Sequence, residues 1–120
     1  MEIAPPFGGY SQGVEVTNSS RLVYVAGQVG VKPDGSVLED FESQVEQAFY
    51  NVQGVLRAAD MDIENVVSMR YYLLDRANVA KFRATKDRIF GYIKPAGTLL
   101  IVGGLAQAQW YFEVDAFAYK

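Results

Sequence analysis

DFESQVEQAFYNVQGVLRAA, residues 40–59, is the stretch that decides the fold. Apolar side chains recur along it every three or four residues, which is the spacing of one face of an α-helix. Asp40 stands just before the first of them and is a suitable N-cap. The stretch therefore predicts an amphipathic helix of about 20 residues. Gly54 weakens such a helix by about 1 kcal/mol relative to Ala, so we expect close packing there. The apolar face consists of Phe41, Val45, Ala48, Phe49, Val52, Val55, Leu56 and Ala59.

Segments on either side of this helix are rich in β-branched and aromatic residues and predict strands. A second amphipathic helix begins at about Asn78 and ends near Gly91 and Pro95. The order β-β-α-β-α-β-β predicts a single α+β domain over residues 1–120, with both helices on one face of a mixed sheet. The predicted strands are Gln12–Val16, Leu22–Gln28, Val66–Leu74, Thr98–Val102 and Trp110–Tyr119.

The last predicted strand is apolar on both of its faces. Because two helices can cover only one face of the sheet, the second apolar face implies burial against another subunit. A monomer with an unusually aromatic exposed sheet is the alternative. One face carries Phe112, Val114, Ala116 and Ala118, and the other carries Tyr111, Phe117 and Tyr119 beside Glu113 and Asp115.

Composition removes several classes of function. The 120 residues include no cysteine and no histidine, which excludes disulfides, thiolate or imidazole metal sites, and Ser-His-Asp or Cys-His catalysis. A formal net charge of −3 with scattered lysines disfavours a nucleic-acid partner. No apolar run approaches the roughly 18 residues of a membrane span, and the opening MEIAPP lacks the features of a signal peptide. We therefore expect a cytoplasmic protein that acts on a small molecule.

Four short segments recur in the order seen in one known family: GYSQ at 9–12, VAGQ at 25–28, PAGT at 95–98 and FEVDA at 112–116. From about Pro6 to Tyr119 the chain resembles the RidA/YjgF family of imine and enamine deaminases. The resemblance implies a chorismate-mutase-like fold assembled as a homotrimer, with three clefts between neighbouring subunits. It also implies hydrolysis of 2-imino acids and their enamine tautomers to 2-keto acids and ammonia, without metal or organic cofactor.

The resemblance assigns candidate catalytic roles to two residues. Tyr10 matches the family's cleft tyrosine, although Gly9 stands where the family has proline. Glu113 matches the acidic residue of the last strand and is the candidate to hold or activate the attacking water. Ala26 occupies a position in the substrate-binding region where many members have a serine hydroxyl. For Glu113 an interface hydrogen bond, and for Tyr10 simple packing, remain open as structural alternatives.

Gly97 departs most from the family's pattern. In deaminating members this position is an arginine that binds the substrate carboxylate, and glycine cannot supply that bidentate pair. Leu99 similarly replaces a residue that is often cysteine, while backbone amides near Gly97 and Thr98 can still polarise a ligand. Arg83, on the second helix, is the candidate to supply the missing positive charge. A solvated helix arginine is the alternative. For Arg70, a carboxylate partner on the last strand is expected.

Two functions remain open. The first is a RidA-like homotrimer that binds an imine- or carbonyl-containing metabolite and hydrolyses 2-imino or enamine acids. The second is a non-catalytic ligand-binding or interaction module with the same fold, which the missing arginine favours. An endoribonuclease activity has also been attached to the family, and the acidic charge and lack of histidine argue against it here.

Overall fold

The computed structural model describes residues 3–120. Short 3₁₀ turns at Ile63–Asn65 and Arg76–Asn78 lead into the second strand and the second helix. Among the described residues, no helix is both long and apolar enough to cross a bilayer. In chain order the main elements are β1 (Leu22–Val29), α1 (Phe41–Ala58), β2 (Val66–Leu73), α2 (Val79–Phe90), β3 (Ala96–Ile101) and β4 (Phe112–Tyr119).

The four strands form one mixed sheet in the order β1-β4-β2-β3. β4 runs antiparallel to both of its neighbours, whereas β2 and β3 are parallel and are joined through α2, as a parallel pair requires. Phe49 of α1 and Phe82 of α2 both pack on Tyr71 and Phe112, so the two helices share one face of the sheet. The predicted α+β class and helix layer are confirmed.

The first helix follows its sequence pattern closely. The Asp40 carboxylate accepts a hydrogen bond from the backbone N–H of Ser43 at 3.0 Å, as an N-cap does. Most of the predicted apolar face is fully buried, but Val55 is exposed. The expectation of close packing at Gly54 is wrong. A Cβ built there has no neighbour within 4 Å, because this glycine lies on the side of the helix away from the sheet.

The predicted strand Gln12–Val16 does not form. Residues 12–20 are exposed and join no ladder, and the nearest pairing is a single bridge between Ser11 and Ala96. The backbone N–H groups of Ser20 and Arg21 both donate to the carbonyl of Lys120, so the chain enters β1 beside the C-terminus and not through a hairpin. Alternation of apolar and polar residues gives a segment the two faces of a strand. A strand forms only when its backbone groups also make hydrogen bonds to a neighbouring strand.

The face of the sheet opposite the helices is open in the single chain. Tyr24 and Leu22 of β1 are about half exposed, at 49% and 54%. The Tyr24 ring packs against Phe117 of β4 with centroids 4.7 Å apart. Aromatic side chains therefore lie on this face as well as in the core, in agreement with the alternation expected for β4.

Candidate functional site

A cavity of about 140 Å³ lies where the N-terminal loop meets α2 and the strands β2 and β3. This volume suits a ligand of only a few non-hydrogen atoms. Tyr10, Arg83, Gly97 and Leu99, which come from three distant parts of the sequence, all line it. The remaining lining residues are Gly8, Gly9, Tyr71, Phe82, Lys86 and Asp87.

Hydrogen bonds from two sides hold the loop over the cavity. The Lys86 ammonium, on α2, donates to the Gly9 carbonyl at 2.5 Å, and the backbone N–H of Ser11 donates to the carbonyl of Pro95 at 3.0 Å. The Tyr10 hydroxyl accepts a hydrogen bond from the backbone N–H of Phe7 at 3.1 Å. The loop therefore forms a defined wall of the cavity, with the ring of Tyr10 half-buried within it.

Cations outnumber anions around the cavity. Lys86 is 4% exposed, and burial lowers the pKa of its ammonium, an effect that the nearby Asp87 opposes. Arg83 is exposed and forms no ion pair with any residue from 3 to 120, so its charge remains available to a ligand. The excess of positive charge makes the cavity suitable for an anion such as a carboxylate.

Gly97 leaves a space that a side chain would fill. A Cβ built at this position lies 3.3 Å from Cε2 of Tyr71 and 3.4 Å from Cβ of Tyr10. Such distances are tighter than ordinary contacts, and both neighbours are bulky. The absence of a side chain at Gly97 thus enlarges the cavity between the two tyrosines.

The buried hydroxyl of Tyr71 is a feature of the cavity that sequence reasoning missed. The residue is 4% exposed, and its hydroxyl has no hydrogen-bond partner among the residues that the structure describes. Burial raises the pKa of the phenol well above its ordinary value, so the hydroxyl stays protonated. The sequence did contain a signal for this residue. Tyr71 shares the core face of β2 with Met69 and Leu73, and a buried polar atom on that face needs a hydrogen-bond partner.

Glu113, Ala26 and Thr98 do not line this cavity. Glu113 pairs with Tyr72 across the sheet, and its side chain projects from the open face, where a Cβ on Gly27 would overlap its carboxylate. Thr98 pairs with Arg70, one register position away from the cavity-lining Gly97 and Leu99, so it faces the open side too. Within one chain the sheet therefore separates Glu113 from Tyr10 and Arg83.

Burial raises the pKa of the Glu113 carboxyl above its ordinary value, and the negative charge of Asp115 adds to the effect. Asp115 is itself 5% exposed and is fully engaged. It accepts hydrogen bonds from Nε and Nη2 of Arg70 at 3.0 and 2.8 Å, and from the Tyr72 hydroxyl at 2.9 Å. The partner expected for Arg70 is thus Asp115, whereas Glu113 on the same face forms no ion pair with any residue from 3 to 120.

The described part of the chain contains no group of three or more acidic side chains arranged to hold a metal ion. The functional groups at hand are the phenols of Tyr10 and Tyr71, the guanidinium of Arg83 and the ammonium of Lys86 at the cavity, and the Glu113 carboxyl with a raised pKa on the open face. Together they can bind an anion and move a proton.

Comparison with known proteins places this fold in one family. The family model described as Endoribonuclease L-PSP matches residues 1–120. The chain is 32% identical over 122 residues to a RutC family protein of Pyrococcus horikoshii, covering 99% of this chain and 94% of that protein. It is 38% identical over 117 residues to the 2-iminobutanoate/2-iminopropanoate deaminase of Mus musculus, covering 92% and 81%.

A solved structure agrees with these sequence matches. The crystal structure of a conserved Rid family protein of unknown function from Yersinia pestis superposes with a TM-score of 0.84 at 30% identity. The superposition covers 93% of this chain and 87% of that one. The chain therefore belongs to the RidA/YjgF/RutC family.

Proposed function

We propose that this protein is a homotrimeric deaminase that hydrolyses small 2-imino acids, and their enamine tautomers, to 2-keto acids and ammonia. The observation that carries the proposal is the position of Arg83. Its unpaired guanidinium lines the same cavity as Tyr10 and Gly97, where the glycine replaces the arginine expected from the family. Arg83 on α2 thus supplies the positive charge that the family resemblance leads one to expect at position 97 on β3.

The substrate's carboxylate is the group that this arrangement suits. Arg83 and Lys86 both contribute positive charge, and Lys86 is already bonded to the Gly9 carbonyl. Arg83 is therefore the group free to form a charge-assisted hydrogen bond, which is worth about 1.5–3 kcal/mol. Phe82 and Leu99 supply the apolar surface on which a short aliphatic substrate chain can pack.

Trimer assembly is required because the catalytic carboxylate lies on the other side of the sheet. In the proposed assembly the open face of one subunit packs beside the edge strand β3 of its neighbour, so that Glu113 of one subunit reaches the cavity of the next. Burial of Tyr24, Leu22 and Phe117 in this interface accounts for the aromatic character of the open face.

The chemistry needs only water and proton transfers. Glu113 accepts a proton from water as the water oxygen bonds to the imine carbon and the C=N electron pair moves to nitrogen. Glu113 then returns this proton to the nitrogen, which gives a neutral carbinolamine. Transfer of the carbinolamine hydroxyl proton to the same nitrogen through Glu113 breaks the C–N bond, releases ammonia and leaves the ketone. General acid–base assistance of this kind contributes about 10²–10⁴-fold. Backbone amides near Gly97 and Thr98 are candidates to polarise the reacting group.

Ammonia release from freshly generated 2-iminobutanoate tests the proposal. Arg83→Ala should lower kcat/KM by about 10- to 100-fold, the effect of one charged hydrogen bond. Arg88→Ala is the matched control, because Arg88 lies on the same helix and bonds to Glu42 and Glu46 of α1. It should leave kcat/KM unchanged. Equal activity of the Arg83→Ala variant and the wild type would contradict the role of Arg83.

A non-catalytic ligand-binding module is the second candidate. It is favoured by Gly97, which removes the clamp that the family resemblance leads one to expect. Under this alternative the wild type binds 2-keto acids in the cavity but releases no ammonia from 2-iminobutanoate above the rate in buffer.

A further inference from the structure

We propose that the Tyr71 hydroxyl is a specificity-determining hydrogen-bond donor that binds the ligand's carboxylate at the floor of the cavity, opposite Arg83. The inference rests on the proposed function, because it concerns the same cavity and the same class of ligand. It adds a neutral donor that neither the family resemblance nor the comparisons assign.

The buried hydroxyl of Tyr71 destabilises the fold unless a ligand accepts its hydrogen bond. A buried hydroxyl that lacks a hydrogen bond is destabilising, and folded proteins satisfy the large majority of such groups. Tyr71 is 4% exposed and its hydroxyl has no partner among residues 3–120. Phenylalanine would fill the same space between Phe49 and Phe82 without that cost.

The Tyr71 hydroxyl lies next to the space left by the missing side chain of Gly97. A Cβ built at Gly97 lies 3.7 Å from the Tyr71 hydroxyl oxygen, and no other heavy atom is closer to it than 3.3 Å. The space above Gly97 is thus slightly smaller than a methyl group, and the Tyr71 hydroxyl lies beside it. A ligand oxygen that lies a few tenths of an ångström nearer to the hydroxyl than this Cβ position is within hydrogen-bond distance of it. Gly97 and Tyr71 then act together: the glycine provides the space and the tyrosine provides the donor.

The groups around the cavity suit an anionic hydrogen-bond acceptor. The phenol remains protonated because burial raises its pKa, so it presents a donor at any physiological pH. The cavity also carries the positive charges of Arg83 and Lys86. An acceptor that is both anionic and able to take hydrogen bonds from several directions satisfies all of these groups, and a carboxylate has two such oxygens.

A pair of tyrosine variants separates this role from a structural one. Tyr71→Phe removes the unpaired hydroxyl, whereas Tyr72→Phe removes a hydroxyl that donates to Asp115 on the opposite face at 2.9 Å. Calorimetric titration with 2-oxobutanoate, the stable keto acid, should show about 10- to 100-fold weaker binding for Tyr71→Phe. Its Tm should equal or exceed that of the wild type. Tyr72→Phe should show the reverse pattern: a lower Tm and unchanged affinity.

The probe 2-butanone, which has the same carbonyl but no carboxylate, provides a ligand control, and its affinity should not respond to Tyr71→Phe. The inference is overturned if Tyr71→Phe binds 2-oxobutanoate within twofold of the wild type, or if its Tm falls. If that variant also keeps full ammonia release from 2-iminobutanoate, the deaminase proposal survives without Tyr71. If the wild type binds 2-oxobutanoate through Tyr71 but releases no ammonia, the donor role stands and the deaminase proposal fails. If the wild type binds no 2-oxobutanoate, both fail.

Discussion

Tyr24→Asp tests whether the open face of the sheet is an interface between copies of the chain. Tyr24 is 49% exposed in the single chain, and its ring packs against Phe117 with centroids 4.7 Å apart. Its hydroxyl also approaches the Asp115 carboxylate at 3.5 Å. The substitution removes the ring and its hydroxyl from this face and puts a carboxylate in their place.

The expected loss of trimer stability follows from burial of the new carboxylate and from loss of the aromatic ring. In the proposed trimer the new carboxylate is desolvated and lacks a cation, because Arg70 already bonds to Asp115. Loss of a central interface aromatic alone costs about 2 kcal/mol, and the substitution occurs in each of three subunits. On the order of 6 kcal/mol is therefore lost per trimer, which corresponds to a roughly 10⁴-fold weaker assembly.

Sedimentation velocity at micromolar concentration measures the outcome, and Tyr50→Asp is the matched control. Tyr50 is 44% exposed, close to the value for Tyr24, but it lies on α1 in the helix layer. We expect trimers for the wild type and for Tyr50→Asp, and monomers of 13.3 kDa for Tyr24→Asp. A trimeric Tyr24→Asp variant with an unchanged Tm would refute the assignment of this face to the interface.

Two further predictions concern the reacting groups. Glu113→Gln should abolish ammonia release while retaining or raising the Tm, because burial already disfavours the charged form of this carboxyl. In the wild type, kcat/KM should rise with pH through the raised pKa of Glu113, since the base must be deprotonated, and a pH-independent profile would move the base elsewhere. Gly97→Ala should weaken 2-oxobutanoate binding several-fold by filling the space in front of the Tyr71 hydroxyl. Unchanged affinity in calorimetric titration would show that the ligand does not enter that space.

Local sequence patterns were sufficient to predict the first helix and the strands β2, β3 and β4. The helix from Asp40 onward appears where its cap and apolar spacing predict it, and β2, β3 and β4 differ from their predicted bounds by at most two residues at either end. The segment Gln12–Val16 has the same kind of alternation but forms no strand, since its backbone finds no ladder partner among the residues that the structure describes. Strand formation depends on pairing with distant residues, which a local pattern does not contain.

The candidate site could be predicted only in part from the sequence, because it too depends on contacts between distant residues. Resemblance selected Tyr10, Arg83, Gly97 and Leu99 separately, and the fold brings all four to one cavity. Resemblance also selected Glu113, but alternation along β4 sends its side chain to the opposite face. Tyr71 was missed because a tyrosine in a strand is usually explained by packing. Its unpaired hydroxyl becomes visible only when the neighbouring side chains are in place.

The geometry around Gly97 leaves little room for the arginine that the family resemblance leads one to expect at this position. An arginine at 97 would place its Cβ 3.3 Å from the Tyr71 ring and 3.4 Å from Tyr10, and the rest of the side chain would have to share the cavity with Arg83. Overpacking of this kind typically costs about 1–3 kcal/mol, which is comparable to the 1.5–3 kcal/mol that a charged hydrogen bond contributes. Under the proposed function, the glycine at 97, the tyrosine at 71 and the arginine at 83 form one coupled arrangement for anion binding, in which each residue depends on the other two.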